Sequence, residues 1–523
     1  MLILCAVLLY LLGLGSTPIQ DPDEPRVTGI VSQMSRTGDW VVPRLNGEPF
    51  LEKPPLFFWI AAQVMYLFGE SVYSARIIPA LAAIGCVLLV YFLARRMGLS
   101  ALAAFTSGFI LATSIGFWTI GRRCVIDMLL CFFTTSAFVC FYRLNRSASL
   151  RVWWYIAFVL SLAGAVMTKG LVGLAIPASA LVIWLLLERN FSLTIWSLLL
   201  LSAVFCLIPT AVWLWFLDSD LGWNAVHEVV WVNNFGRFAG TYEAHVKPFF
   251  YYFLSFPENF MPWTLYLPIA VLFHWRDFRS PREQASSRFL VAWFGMPFLL
   301  LSLSAGKRDL YLLPTYPAAA LFVGAAVGKI LEGGRLENKW FRIPSILLVA
   351  AVILASVGFC VTAVYFRGPY WIRALVLFPG LLFGSWGYRL LQRRYLSGFA
   401  TVAAAALVLV YVVFSLGVDP LTNARNSYEP AFNYCRTLMS AETPVVLFKS
   451  TERLRGAAVY YLGRTIPEID DENSLTAFLR SGKRPLLVSY DNRLEGIAHL
   501  EDIKTFPIGH KTIAVARIAE RVR

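Results

Sequence analysis

Charge is scarce in this chain. Asp, Glu, Lys and Arg make up 15% of its 523 residues, against 58% hydrophobic. With a mean hydropathy of +0.62, that balance excludes an ordinary soluble domain, in which about a quarter of residues are charged. Cysteine is sparse as well. The eight cysteines are scattered, mostly through apolar segments, with no CxxC or metal-type spacing, which sets aside a zinc ribbon or a disulfide framework. Cys435 stands alone in the polar C-terminal region, so no disulfide is available there. No basic n-region precedes the apolar run that opens at Met1 and ends near Gly15. That favours an uncleaved first span over a signal cleaved between Gly15 and Thr17, and either way the segment that follows lies outside. Internal repeats and low-complexity tracts are missing too.

What is present is a series of apolar runs, each about 17 residues or longer and so able to cross a hydrocarbon core. They fall near 1–17, 73–94, 99–119, 128–142, 152–168, 170–187, 193–217, 259–275, 289–305, 310–329, 343–365, 370–389 and 397–417, roughly thirteen helices. The chain reads as a polytopic α-helical membrane protein. The segment 55–68, PLFFWIAAQVMYLF, has about 14 residues, short for a span and suited to an interfacial or re-entrant helix. The same holds for 248–256, ahead of Pro257.

Charge placement tests this count. With a cytoplasmic N-terminus, the inside loops carry Arg95 and Arg96, then Arg143, Arg146 and Arg151, then Arg189, and the basic groups of 276–288, 329–342 and 389–394. The positive-inside rule expects this. Counting 55–68 as a full span moves most of these loops outside. In this setting the net charge of +14 marks cytoplasmic loops and lipid headgroup contacts, not a nucleic-acid surface. Residues such as Trp59, Trp153, Trp154, Trp263 and Tyr266 suit an interfacial aromatic belt.

From about residue 420 the chain changes character. The runs 444–449 (PVVLFK), 457–463 (AAVYYLG), 485–490 (PLLVSY) and 511–518 (KTIAVARI) read as short strands, with a helix from Glu472 to Ser481. A small α/β domain over 421–523 follows the membrane region 1–420. An odd number of spans puts this domain on the same face as the first loop.

Four polar clusters are expected to converge on that outer face. They are Asp23-Glu24-Pro25-Arg26 after the first span, Glu52-Lys53-Pro54 before the interfacial helix, Arg122-Arg123 with Asp127, and Lys307-Arg308-Asp309-Leu310-Tyr311. The span interiors hold almost no charge, whereas transporters and pumps place ionisable groups near the midplane. Taken singly, each cluster fits helix capping and headgroup contact. Taken together, cations beside carboxylates at a headgroup boundary suit a phosphate-bearing lipid: Arg offers a bidentate fork, Lys a point charge, and a carboxylate positions or deprotonates a nucleophile. Lys169 is either a phosphate ligand or an ordinary helix-end lysine. Trp40 and Trp231 are candidates for stacking on a sugar.

The motifs D23-E24-P-R26, TGDWVVPRLNGEPFLEKPPLFFW (37–59), VID (125–127), TKG (168–170) and KRDLYLLPTYPA (307–318) resemble the polyprenyl-phosphate-sugar glycosyltransferases of the GT-C class. The resemblance is closest to the aminoarabinose lipid A transferases, in the wider group that includes protein O-mannosyltransferases, and it runs to about residue 420. It implies a thirteen-helix membrane region with periplasmic juxtamembrane helices over about 18–72, a C-terminal periplasmic domain, and a place in the bacterial inner membrane. It implies an undecaprenyl-phosphate-linked sugar as donor and lipid A as acceptor, with transfer of mannose or another hexose to protein as the alternative and a lipid flippase as a non-enzyme rival.

The resemblance also assigns residues. Asp23 matches the essential first-loop acid and Asp127 the second acid. Arg26 and Lys53 match groups that engage the lipid phosphate, and Tyr311 the tyrosine near it. Glu52 matches the Glu before that Lys. Apart from the resemblance, a divalent metal between Glu52 and His245 is the one cofactor candidate, and these two ligands fall short of the usual three or four. Glu24, Arg123, Lys307 and Arg308 complete the expected substrate-binding set. Pro25 stands where Thr is common and Phe50 where Tyr is, which leaves the donor sugar open.

Overall fold

The computed structural model describes residues 1–146, 151–236, 246–277, 281–333, 339–393, 395–423, 426–440, 443–479, 485–494 and 500–518. The loop cations Arg279, Arg335 and Arg394 and the helix end at Ser481 lie outside them. The chain divides into two compact units. One comprises Met1–Gly13, Leu51–Phe57 and Ile78–Val418; the other comprises Leu14–Phe50, Phe58–Ile77 and Asp419–Arg523.

The first unit is helical. Along the described residues, nine helices have the length and apolar composition to cross a membrane, which makes this a multi-span membrane protein. A tenth is broken: Ala101–Ala112 and Ile115–Gly121 meet at 65°. The cause lies at the break, where the hydroxyls of Thr113 and Ser114 donate back to the carbonyls of Phe109 and Ile110 and so compete with the helical ladder. The remaining apolar helices, Leu2–Leu11, Leu56–Phe68, Val172–Leu187 and Trp263–His274, are shorter. Every expected span coincides with a helix, but thirteen full-length spans are not present among the described residues. The first helix stops at Leu11 because Gly13, Gly15 and Pro18 interrupt what composition alone extends to residue 17. That helix is tied into the unit: Tyr10 donates to the Ala112 carbonyl at 3.0 Å, and Trp118 to the Leu9 carbonyl at 3.0 Å.

In the second unit, the stretch after the first span is more ordered than its Pro and Gly content suggests. Glu24–Thr37 is a helix, with Asp23 at its N-cap, Pro25 in the first turn and Gly38 closing it at φ +69. Pro is tolerated at a helix start and Gly favoured just past its end. A hairpin follows, β1 (Arg44–Leu45) and β2 (Glu48–Pro49). Asn46 and Gly47 turn it with φ of 55 and 92, the positive values that an Asn-Gly hairpin requires.

The C-terminal part of this unit is a five-stranded sheet of β3 (Val445–Phe448), β4 (Glu468–Ile469), β5 (Leu486–Tyr490), β6 (Leu500–Ile508) and β7 (Lys511–Ile518), in the order β4-β3-β5-β7-β6. β3 runs parallel to β4 and β5, and β7 antiparallel to β5 and β6. Alternate residues serve two cores. Val445 and Leu447 pack with Phe432, Leu454, Ala457 and Ala458, while Val446 and Phe448 pack with Leu475, Leu487 and Ala516. Burial of β3 and β5 on both faces explains why they read as unbroken apolar runs. The run 457–463, expected as a strand, is instead the end of a helix, Glu452–Leu462. Thr451 accepts from the Leu454 amide at its start, and Gly463 closes its end at φ +73; these caps override the β-propensity of Val459, Tyr460 and Tyr461. Gly29 and Gly456 bring this helix against Glu24–Thr37: a Cβ on Gly29 would stand 2.5 Å from the Gly456 Cα.

Candidate active site

Carboxylates and cations gather in each unit. In the second, the N-terminus of Glu24–Thr37 carries Asp23, Glu24 and Arg26. Asp23 at the N-cap places a negative charge at the positive end of the helix dipole, and its carboxylate lies 3.6 Å from Arg26. Arg26 also donates to Glu452 at 2.8 Å, and its guanidinium sits 5.7 Å from the Phe50 ring centroid. Glu24 turns inward. Its side chain is 1% exposed and pairs with Arg76, 3% exposed, through two bonds of 2.8 and 2.7 Å. Arg76 further donates to the carbonyls of Leu14, Thr17 and Pro18. Glu24, expected as a substrate group, is thus the anchor of a buried bidentate pair. Burial of an ion pair is tolerated only when the remaining donors are met, and Arg76 meets that condition.

In the first unit, helix ends present the charges. Asp127 opens the helix Asp127–Arg146 and Lys169 closes Arg151–Lys169, each with the sign its dipole end favours. They form an ion pair, both side chains nearly buried, and the Lys169 ammonium lies 3.9 Å from the Tyr311 ring centroid. Lys169 therefore joins the two expected residues Asp127 and Tyr311 into one cluster. Asn234 supports the turn after Lys169 by accepting from the Leu171 amide at 3.0 Å.

The other cations differ in their engagements. Arg122 is buried and donates to the carbonyls of Leu9 and Leu12 at 2.8 and 3.0 Å, capping the first helix's orphan acceptors. Its neighbour Arg123 is half-buried. Lys53 donates to the Glu52 carbonyl at 3.0 Å, and the Leu51 carbonyl accepts from Asn233. Lys307, expected to face substrate, is 3% exposed and donates to the carbonyls of Lys247 and Ser304. Burial lowers its pKa, and the contacts tie its loop to the 246–248 segment. Arg308 leads the 3₁₀ turn Asp309–Thr315 that carries Tyr311. Asp309 accepts from Tyr251 at 2.7 Å; burial first, then this bond, pushes the Tyr251 phenol up to about 12.

No group of three or more His, Cys, Asp or Glu among the described residues could hold a metal. His245, the partner expected for Glu52 in a metal site, lies outside them. Arg76, Glu452, Asp21, Arg453 and Tyr428 are the polar partners that the motif reading passed over. For Arg76 a signal existed: a lone cation at the head of an apolar span is costly unless paired.

Comparison with known proteins defines the class. The whole chain superposes on ArnT from Cupriavidus metallidurans bound to undecaprenyl phosphate with a TM-score of 0.78, covering 98% of this chain and 97% of that one at 20% identity. The fold is that of a GT-C glycosyltransferase. Residues 30–227 match the model of the dolichyl-phosphate-mannose-protein mannosyltransferases. The undecaprenyl phosphate-α-4-amino-4-deoxy-L-arabinose arabinosyl transferase of Aeromonas salmonicida is 30% identical over 391 residues, 73% of this chain and 69% of the relative. That of Aeromonas hydrophila is 30% identical over 360 residues, 67% of this chain and 64% of the relative, so the match spans just under two thirds of the latter's length. The chain belongs to this arabinosyl transferase family.

Proposed function

We propose that the protein is an inverting glycosyltransferase that moves 4-amino-4-deoxy-L-arabinose, or a related sugar, from an undecaprenyl-phosphate carrier to lipid A at the periplasmic face of the bacterial inner membrane. Family membership carries this reading: relatives aligned over about three quarters of the chain are named for undecaprenyl phosphate-aminoarabinose, and the ArnT that shares the fold is described as bound to undecaprenyl phosphate.

In the reaction, an acceptor oxygen attacks C1 of the sugar on the face opposite the phosphate. The C1–O bond breaks and its electron pair leaves with the carrier phosphate, whose charge rises. Lys53 and Tyr311 hold that phosphate, with Arg123 and Arg308 as further cations, so the leaving group needs no general acid. Asp127, pinned by Lys169, orients the sugar. Asp23 takes the proton when the acceptor is a hydroxyl and positions the acceptor when it is an ionised phosphate oxygen.

Mass spectrometry of lipid A and of carrier lipids, with and without the gene, tests the assignment. Asp23→Asn and Lys53→Ala each abolish transfer while expression and membrane insertion persist; normal turnover in either variant contradicts the reading. The mannosyltransferase match over 30–227 supports a second reading, transfer of mannose to protein. Labelled mannose on protein, with lipid A unmodified, would select it.

A further inference from the structure

Asp21 stands two residues before Asp23 and has no part in the roles above. Its carboxylate is held from the far end of the sequence. Tyr428 donates to Oδ1 at 2.8 Å and Arg453 to Oδ2 at 3.0 Å. Tyr428 is 1% exposed, and its hydroxyl lies 3.2 Å from that of Tyr490, itself 3.2 Å from Thr451 Oγ1. Burial first, then the neighbouring Tyr490 and Asp21, raise the Tyr428 phenol far above its ordinary range, so it stays a donor. Thr451 is the N-cap of Glu452–Leu462. The same helix grips the chain beyond Asp23: Glu452 accepts from Arg26, and Gly456 meets Gly29.

Asp23 is therefore flanked on both sides by groups tied to the α/β part of the same unit. The link from Asp21 to Asp23 is stiff, because Pro22 fixes one of its backbone torsions. A displacement of Asp21 is passed on to Asp23. A surface aspartate is ordinarily solvated; here each oxygen has its own donor, one phenolic and one charged, which defines its place by geometry.

We propose that Asp21 is a positioning residue for the transfer reaction: anchored by Tyr428 and Arg453, it sets where Asp23 stands and makes the C-terminal α/β segment a working part of the active site. This rests on the reading of Asp23 as the acid at the acceptor.

The test uses the full-length protein in detergent, with undecaprenyl-phosphate-linked aminoarabinose as donor and lipid A as acceptor. Asp21→Asn, Tyr428→Phe and Arg453→Gln each lower kcat by about 10–100-fold, the scale of a sub-ångström to 1 Å misplacement, with KM for the donor within about twofold of the parent. The double variant Asp21→Asn/Arg453→Gln is no slower than its slower parent, because both changes break one contact. Arg453→Lys recovers part of the loss. Unchanged kcat per folded molecule in Asp21→Asn overturns the proposal, as do single losses that multiply in the double variant. If Asp21→Asn does not yield monodisperse protein, Tyr428→Phe, which removes one hydroxyl, decides in its place. Asp23→Asn is measured alongside: full turnover there overturns the reading of the site, and this proposal with it, whereas lost turnover there with normal Asp21→Asn overturns this proposal alone.

Discussion

Arg76→Met removes a guanidinium while keeping most of the aliphatic stem. In the native fold that guanidinium pairs with both oxygens of Glu24 and bonds the carbonyls of Leu14, Thr17 and Pro18. The variant leaves a carboxylate in a site where it is 1% exposed, facing three carbonyls that have lost a shared donor. Breaking one side of a buried ion pair costs about 3–5 kcal/mol. For a unit of roughly 160 residues, each kcal/mol moves the thermal midpoint by about 2–4 °C, so the expected drop is about 6–20 °C. Fluorescence-detected size exclusion after fixed-time heating of the detergent-solubilised protein reads it as an apparent midpoint. Adding Glu24→Gln to Arg76→Met removes the uncompensated charge and recovers at least about 1 kcal/mol, so the double variant is more stable than the summed single losses. An Arg76→Met midpoint within about 2 °C of the parent, or strict additivity in the cycle, would refute the account of this pair.

The other predictions can be checked with the same preparation. Lys169→Met takes the cation away from both Asp127 and Tyr311 and lowers turnover by about 100-fold or more; Lys169→Arg keeps more activity than Lys169→Met, and equal activity of the two marks Lys169 as a plain helix end. Gly29→Ala forces a Cβ onto the Gly456 backbone and destabilises the protein by about 1–3 kcal/mol, seen as a lower midpoint; a neutral outcome contradicts the close approach. Asp23→Asn and Lys53→Ala eliminate modified lipid A in mass spectra at unchanged protein levels. Asp21→Asn lowers kcat with little effect on KM.

Long apolar helices such as Val72–Arg96 and Phe341–Tyr365 were legible because hydropathy alone decides them. The break at Thr113–Ser114 was not, because two hydroxyls turning back on the ladder leave no trace in a hydropathy profile. The run AAVYYLG misleads on propensity, and only the caps at Thr451 and Gly463 mark it as helix. Asp23, Lys53 and Asp127 stand out in the sequence as charges beside apolar runs, in motifs that resemble those of the family. Their partners do not. Which base answers Glu24 depends on a contact across 52 positions, and the donors to Asp21 come from more than 400 positions away. Local pattern carries helix type and charge placement; it does not carry such pairings.

Because one unit draws on both Leu14–Phe50 and Asp419–Arg523, its two halves emerge from the ribosome at opposite ends of synthesis. Contacts of such long sequence separation close late. Until the segment holding Tyr428, Glu452 and Arg453 is made, Asp21 lacks two donors and Arg26 lacks Glu452. The segment that carries Asp23 is therefore held from both sides only after a long helical stretch of chain has been made, and its final placement comes late in folding.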